Sequence, residues 1–310
     1  MNNRTGNIKK IPVIIDTDIG NDIDDTFALC FALLREELDI RLVTTVLGDP
    51  VYSAKIIAQM NERCGKGTID IGLGKCGARP AMYQQDWVEN YDLSSYPGRI
   101  YEDGVAQMIN VIRQSEKTVT ILAMGPCANL AEAIRRSPDI SDKVRVIAVF
   151  GGLFRGYFGK EPCPEYNVHK DVEAARTFLA GYKNIWISPI DTFFDVVLDR
   201  ERYQRLAKCR KSSPAVGALL ENFGIWCKNF PDWKDKVQDH TPALCDAILV
   251  YLAITDEGLV SQTYPIEIED NGLTRVSETG IPVKVAIAWS NKERMLDFLT
   301  DTYCASARGR

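Results

Sequence analysis

Histidine is almost missing: His169 and His240 are the only two in 310 residues. A histidine-rich metal centre is therefore excluded. The nine cysteines, Cys30, Cys64, Cys76, Cys127, Cys163, Cys209, Cys227, Cys245 and Cys304, are odd in number and contain no C-x-x-C pair. This scatter argues against a disulfide framework or zinc site and fits the reduced thiols of a cytosolic protein. Basic charge is also short, with 37 Lys and Arg against 42 Asp and Glu, a net charge of −5. A nucleic acid polymer, which needs a basic face, is not an expected partner. No apolar run is long enough to cross a bilayer, and MNNRTGNIKK lacks the apolar core of a secretion signal, so a cytoplasmic location with no membrane partner is expected.

What is present is a regular alternation. VIID (13–16), IRLVTTVLGD (40–49), TVTILAM (118–124), VRVIAVFGG (144–152) and NIWISPID (184–191) are short β-branched apolar runs. Stretches with apolar residues at three- and four-residue spacing follow several of them, as in DDTFALCFALLREE and VYSAKIIAQMNERC. The pattern predicts an α/β fold, a mostly parallel twisted sheet with a Rossmann-like core and helices on both faces, as one domain over 1–310. Functional groups in such sheets gather beyond the C-terminal strand ends, which here carry Asp16, Asp18, Asp49, Met124, Gly125, Gly151, Gly152 and Asp191. Two segments rich in aromatic and polar residues, 83–104 and 222–240, interrupt the rhythm. Each is a candidate lid over a flat ligand, or a surface excursion whose aromatics pack down.

IPVIIDTDIGNDIDDTFALC (11–30) places Asp16, Asp18, Asp22, Asp24 and Asp25 beside an apolar strand. Carboxylates this close repel and resist burial unless a cation compensates them. An EF-hand loop fails in both registers: from Asp16 its fifth and sixth positions are Gly20 and Asn21, and from Asp22 they are Thr26 and Phe27. The haloacid dehalogenase-like phosphatase pattern D-x-D-x-[TV] fits Asp16, as nucleophile, and Asp18, but meets Gly20 at its last position.

A strand ending D-T-D-x-G, followed by D-D and a helix of small and apolar residues, resembles the inosine-uridine-preferring nucleoside hydrolases. The resemblance continues in order through TTVLGD (44–49), LAMGPCANLAEAI (122–134), PEYNVHKDVEAA (164–175), ISPIDTFFDVVL (187–198), CDAILVYLAI (245–254) and GLTRVSETG (272–280). It implies calcium-dependent hydrolysis of the N-glycosidic bond of a ribonucleoside or related N-riboside, in a homodimer or homotetramer. By the same resemblance Asp18 is a calcium ligand and general base, and Asp25, the Met124 carbonyl and Asp246 complete the ligand set. Asp24 meets the ribose 2′-hydroxyl, Asn167 the ribose diol and Glu165 the 5′-hydroxyl. Asp16 is read as a supporting or directly acting residue, and Asp22 as a helix cap, because two extra residues separate Gly20 from the Asp24–Asp25 pair.

Three positions depart from the family's usual pattern. Asp49 replaces an asparagine near the ribose, Gly159 stands where an asparagine is expected before Glu165, and Cys245 replaces a histidine that protonates the leaving base in some members. A subgroup of the family carries cysteine at that last position. Thr241 and Pro242 read as a helix N-cap and first turn, which would put Cys245 near a helix start as proton donor, spectator or packing residue. His240 is an alternative acid. Among Trp226, Phe230 and Trp233 one is expected to stack on the base, with Trp233 chosen. Besides hydrolysis and the phosphatase alternative, a binding protein that retains the site without turnover also fits these changes.

Overall fold

In the computed structural model, which describes residues 10–77, 81–234 and 238–305, β1 (Ile11–Thr17) lies in the middle of a ten-stranded sheet. The remaining strands are β2 (Leu38–Thr45), β3 (Asp70–Gly72), β4 (Ile100–Tyr101), β5 (Val119–Ala123), β6 (Val144–Val149), β7 (Ile185–Ser188), β8 (Leu259–Ile268), β9 (Thr274–Val276) and β10 (Ile281–Trp289). Their order is β4-β3-β2-β1-β5-β6-β7-β10-β8-β9. Every pairing from β4 to β10 is parallel, and only β8 and β9 run antiparallel to their neighbours. The expected mostly parallel sheet is therefore present, edged by a C-terminal antiparallel hairpin.

The helices are α1 (Asp24–Leu33), α2 (Pro50–Arg63), α3 (Gln85–Val88), α4 (Gly104–Gln114), α5 (Ala128–Arg136) and α6 (Tyr166–Lys170). They continue with α7 (Val172–Gly181), α8 (Ile190–Phe193), α9 (Arg200–Cys209), α10 (Pro214–Asn229), α11 (Ala247–Ile254) and α12 (Lys292–Ala305). Side chains alternate between the sheet faces: Val13 and Ile15 join a core built with α1, α2 and α9 to α12. Ile14 joins a second core built with α4, α5 and α7. With both faces covered, β1, β5, β6 and β7 are almost wholly buried and largely apolar, which is why they read as runs in the sequence, whereas β2, β8 and β10 keep exposed positions.

From β1 the chain steps outward through β2, β3 and β4, then returns to place β5 on the other flank of β1. The strand order thus reverses between β1 and β5, and the crevice beyond their C-terminal ends is where such a sheet exposes a binding site. The acidic stretch leaves β1, and Met124 and Gly125 leave β5, at that crevice.

Candidate active site

Helix α1 begins at Asp24, so Asp24 and Asp25 occupy its first turn, where the helix dipole favours negative charge. Asp246 stands at the N-cap of α11. One carboxylate oxygen from each of Asp24, Asp25 and Asp246 lies within 4.8 Å of the others, and all three residues are buried. Asp18 sits alongside, and a Cβ on Gly125 would fall 2.8 Å from its Oδ1. Only a glycine there lets the exit of β5 approach Asp18 this closely. The Thr17 hydroxyl donates to Asp25 Oδ1.

These aspartates line a cavity of about 280 Å3 with Asn21, Asp22, Met124, Val149, Tyr157, Glu165, Tyr166, Asn167, Phe193, Phe194 and Cys245. Burial pushes the Asp18 carboxyl up to about 8, with Asp24, Glu165 and Asp16 adding repulsion. Asp24, Asp25 and Asp246 are raised for the same reason, burial first and neighbouring carboxylates second. The charged neighbours acting on them most strongly are all carboxylates. Glu165 is also raised, to about 7, by burial, although it accepts from the backbone N–H groups of Asn167, Val168 and Gly151.

A buried set of oxygen donors with no basic partner among these neighbours suits a hard divalent cation, which takes oxygen ligands and offsets their repulsion. Met124 also lines the cavity, and its carbonyl is tied to the lining residue Asn167. That carbonyl accepts from Asn167 Nδ2 at 2.7 Å, and a carbonyl with two lone pairs still has one to offer.

The structure brings Asp18, Asp24, Asp25, Met124, Glu165, Asn167, Cys245 and Asp246 together, and places other expected residues differently. Asp16 lies behind the cavity, its Oδ1 accepting from the Thr44 hydroxyl and from Asn129 Nδ2 at 2.7 Å. Asp22 faces the cavity and is not the helix cap; Ile23 holds that position, and Asp22 Oδ1 accepts from Ile23 N at 2.7 Å. Asp49 caps α2 by accepting from Val51 N and Tyr52 N, and borders a small side cleft rather than the main cavity. Thr241 does not start a helix: its hydroxyl accepts from Leu198 N at 3.0 Å, and α11 begins only at Ala247. Cys245 therefore precedes the helix, and burial together with Asp24, Asp246 and Asp22 raises its thiol well above the usual range instead of favouring thiolate.

Trp233 packs on Phe223, Trp226 and His240, and neither it, Trp226 nor Phe230 lines the cavity. No lining residue comes from 83–104 or 222–240. The first segment carries α3 and the edge strand β4, and the second begins in α10; residues 235–237 of it lie outside the described residues.

The aromatic wall comes instead from Tyr157, Tyr166, Phe193 and Phe194, with Tyr157 and Phe194 rings 5.1 Å apart. The sequence signal was the pair Phe193 and Phe194, two and three residues after Asp191 at the exit of β7. Asp191 itself holds the loop that precedes Tyr157, accepting from the N–H groups of Leu153, Phe154 and Arg155.

The family described as inosine-uridine preferring nucleoside hydrolase matches residues 13–297. A curated relative, the pyrimidine-specific ribonucleoside hydrolase RihB of Escherichia coli (strain SE11), is 24% identical over 297 residues, covering 90% of this chain and 91% of that protein. Among solved structures, a plant nucleoside hydrolase, the PpNRh1 enzyme, superposes with a TM-score of 0.80 at 22% identity, covering 95% of this chain and 99% of the other. The inosine-uridine preferring nucleoside hydrolase from Bacillus anthracis superposes with a TM-score of 0.77 at 19% identity, with the same coverage. At these identities the solved structures share the fold with this chain. The phosphatase alternative falls with the family match.

Proposed function

Because the chain belongs to the inosine-uridine preferring nucleoside hydrolase family, we propose that its cavity hydrolyses the N-glycosidic bond of a ribonucleoside or close N-riboside with calcium as its cation. The observation that carries this reading is the buried group Asp24, Asp25 and Asp246 beside Asp18, a charge cluster whose strongest charged neighbours are further carboxylates. Asp18, Asp25, Asp246 and the Met124 carbonyl would hold the ion. Bound there, a hard divalent cation orients a water and the ribose hydroxyls and lowers the water's pKa.

The chain's own groups account for the remaining steps. Asp18 takes a proton from water as the water oxygen bonds to C1′. The bond from C1′ to the base nitrogen breaks through an oxocarbenium-like transition state, and the departing base takes a proton. Cys245 is the donor this reading assigns, since its thiol faces the cavity beside Asp24. Asp24 and Asn167 hold the ribose hydroxyls and Glu165 the 5′-hydroxyl. The base lies against the Tyr157 and Phe194 wall and not against Trp233, which is outside the cavity lining. Assembly as a homodimer or homotetramer and a cytoplasmic location complete the reading.

The relatives named above include a pyrimidine-specific hydrolase and one described as preferring inosine and uridine, so the base preference has to be measured. A panel of purine, pyrimidine, modified-base and 5′-altered ribosides, assayed for reducing sugar with calcium present, tests the reading. Ribose release from at least one member is expected. Nucleoside binding by calorimetry with no release from any of them would favour the non-catalytic binding protein.

A further inference from the structure

The acidic stretch is two residues longer than the usual spacing, and extra backbone at a catalytic loop normally loosens it. Here the extra length is held by its own carbonyls. Four successive peptide oxygens are each taken by a side-chain donor: Ile19 O by the Ser53 hydroxyl at 2.8 Å and Gly20 O by the Tyr52 hydroxyl at 2.8 Å. Asn21 O is taken by Trp226 Nε1 at 3.0 Å and Asp22 O by Gln84 Nε2 at 2.7 Å. The donors come from α2, α10 and the residue before α3, and none of them lines the cavity. Gly20, at φ +123°, makes the turn, and a Cβ there would lie 2.5 Å from the Tyr52 ring.

Gln84 is the member with two holds on the loop. It is fully buried; its Nε2 donates to Asp22 O, and its Oε1 accepts from the Thr26 hydroxyl at 2.9 Å. Its backbone N–H donates to the Tyr52 hydroxyl, which ties it to the neighbouring donor. Asp22 and Thr26 flank Asp24 and Asp25 in sequence, so one amide grips both ends of the segment that carries the two carboxylates. A side-chain amide both donates and accepts; neither an ionised carboxylate nor a thioether does.

We propose that Gln84 is a positioning residue for Asp24 and Asp25, fixing the first turn of α1 so that their carboxylates converge with Asp246. This inference rests on the cation-dependent hydrolase reading. It gives the segment 83–104 a role as the outer brace of the site, with Trp226 of α10 as a second brace. A site built from preorganised oxygens binds its ion and its transition state more tightly than one that must be ordered on binding.

The test compares native protein with Gln84→Met, Trp226→Phe and Asn229→Ala, by calcium titration, kcat and KM, and melting temperature in chelator. Asn229→Ala loosens the same segment, because Asn229 Nδ2 donates to Tyr83 O at 3.1 Å, but touches no loop carbonyl. Gln84→Met is expected to weaken calcium binding tenfold or more and to lower kcat with a smaller change in KM. Trp226→Phe, losing one donor, is expected to weaken calcium binding about threefold, and Asn229→Ala to stay within twofold of native. A Gln84→Met protein that melts lower yet binds calcium within twofold of native would overturn the proposal. Should Gln84→Met fail to fold, native-like calcium binding by Trp226→Phe would do the same. Native protein that binds no calcium would defeat the calcium reading itself, an outcome distinct from a native site indifferent to Gln84.

Discussion

The two ends of the sheet carry similar residues in opposite states. Below the N-terminal strand ends, an open cleft of about 620 Å3 is lined by Asp39, Arg41, Asp70, Glu116 and Lys117 among others. Its charges are mixed in sign, and Arg41 pairs with Asp39 at 2.6 Å, the arginine exposed and the aspartate partly so. At the C-terminal ends a smaller cavity, about 280 Å3, buries Asp24, Asp25 and Asp246 beside Asp18, with carboxylates as their strongest charged neighbours. Size points to the wrong end. Uncompensated burial of like charge, which folding tolerates only where something else stabilises it, points to the site.

Removing one carboxylate from each end should separate the two regions most clearly. Asp25→Ala should lower kcat/KM at least about a thousandfold, about 4 kcal/mol, through loss of the cation. In chelator the same variant should melt no lower than native, because a buried repulsive charge has gone. Asp39→Ala should leave kcat/KM unchanged and cost at most about 1 kcal/mol, the range of exposed pairs. Sugar release and thermal melts of the two variants check both statements.

Cys245→Ala should lower kcat about a hundredfold, the lower range for a lost general acid, with a smaller loss for nucleosides whose base leaves without protonation. Equal losses on both kinds of substrate would remove Cys245 from proton donation.

The pH response should also differ with and without cation. Asp18 and Glu165 have folded values raised above their ordinary ones, to about 8 and about 7. The folded state therefore holds more protons than the unfolded chain between about pH 4 and 8. Their contribution to stability is complete below about pH 4 and is lost as pH rises through 7 to 8. The chelated protein should melt progressively lower from pH 5 to 8.5, and added calcium should raise the melting temperature more at pH 8 than at pH 5. A flat profile in chelator would show that these carboxylates are not confined as described.

The smallest effect is expected at the aromatic wall. Tyr157→Ala should raise KM several-fold, about 1 kcal/mol of lost ring contact, with kcat changed less. Trp233→Ala, whose ring packs inside the aromatic cluster, should act on stability instead.

The sheet was legible because β1, β5, β6 and β7, buried on both faces, are largely apolar, and because aspartates and glycines interrupt the runs at their C-terminal exits. In the acidic stretch α1 starts at Asp24, and Asp24, rather than Asp18, shares the close group of carboxylate oxygens with Asp25 and Asp246, while Asp22 faces the same cavity. What the sequence hid was long-range and directional. Nothing local shows that Gln84 reaches Asp22 O, 62 positions away, or that Trp226 turns its ring nitrogen to Asn21 O while its face stays in the core. Composition records side-chain type without direction, so it could not show that the aromatic-rich segments 83–104 and 222–240 contribute no residue to the cavity lining. Thr241 looked like a helix cap since a threonine before proline has that local form, yet its partner, Leu198 N, is distant in sequence.

Calorimetric titration of calcium into chelator-stripped protein at pH 7.5, alongside Asp25→Ala, decides whether the buried carboxylates hold a cation. One saturable site per native chain and none in the variant are expected. Absence of binding to the native protein, or equal binding to Asp25→Ala, would contradict it.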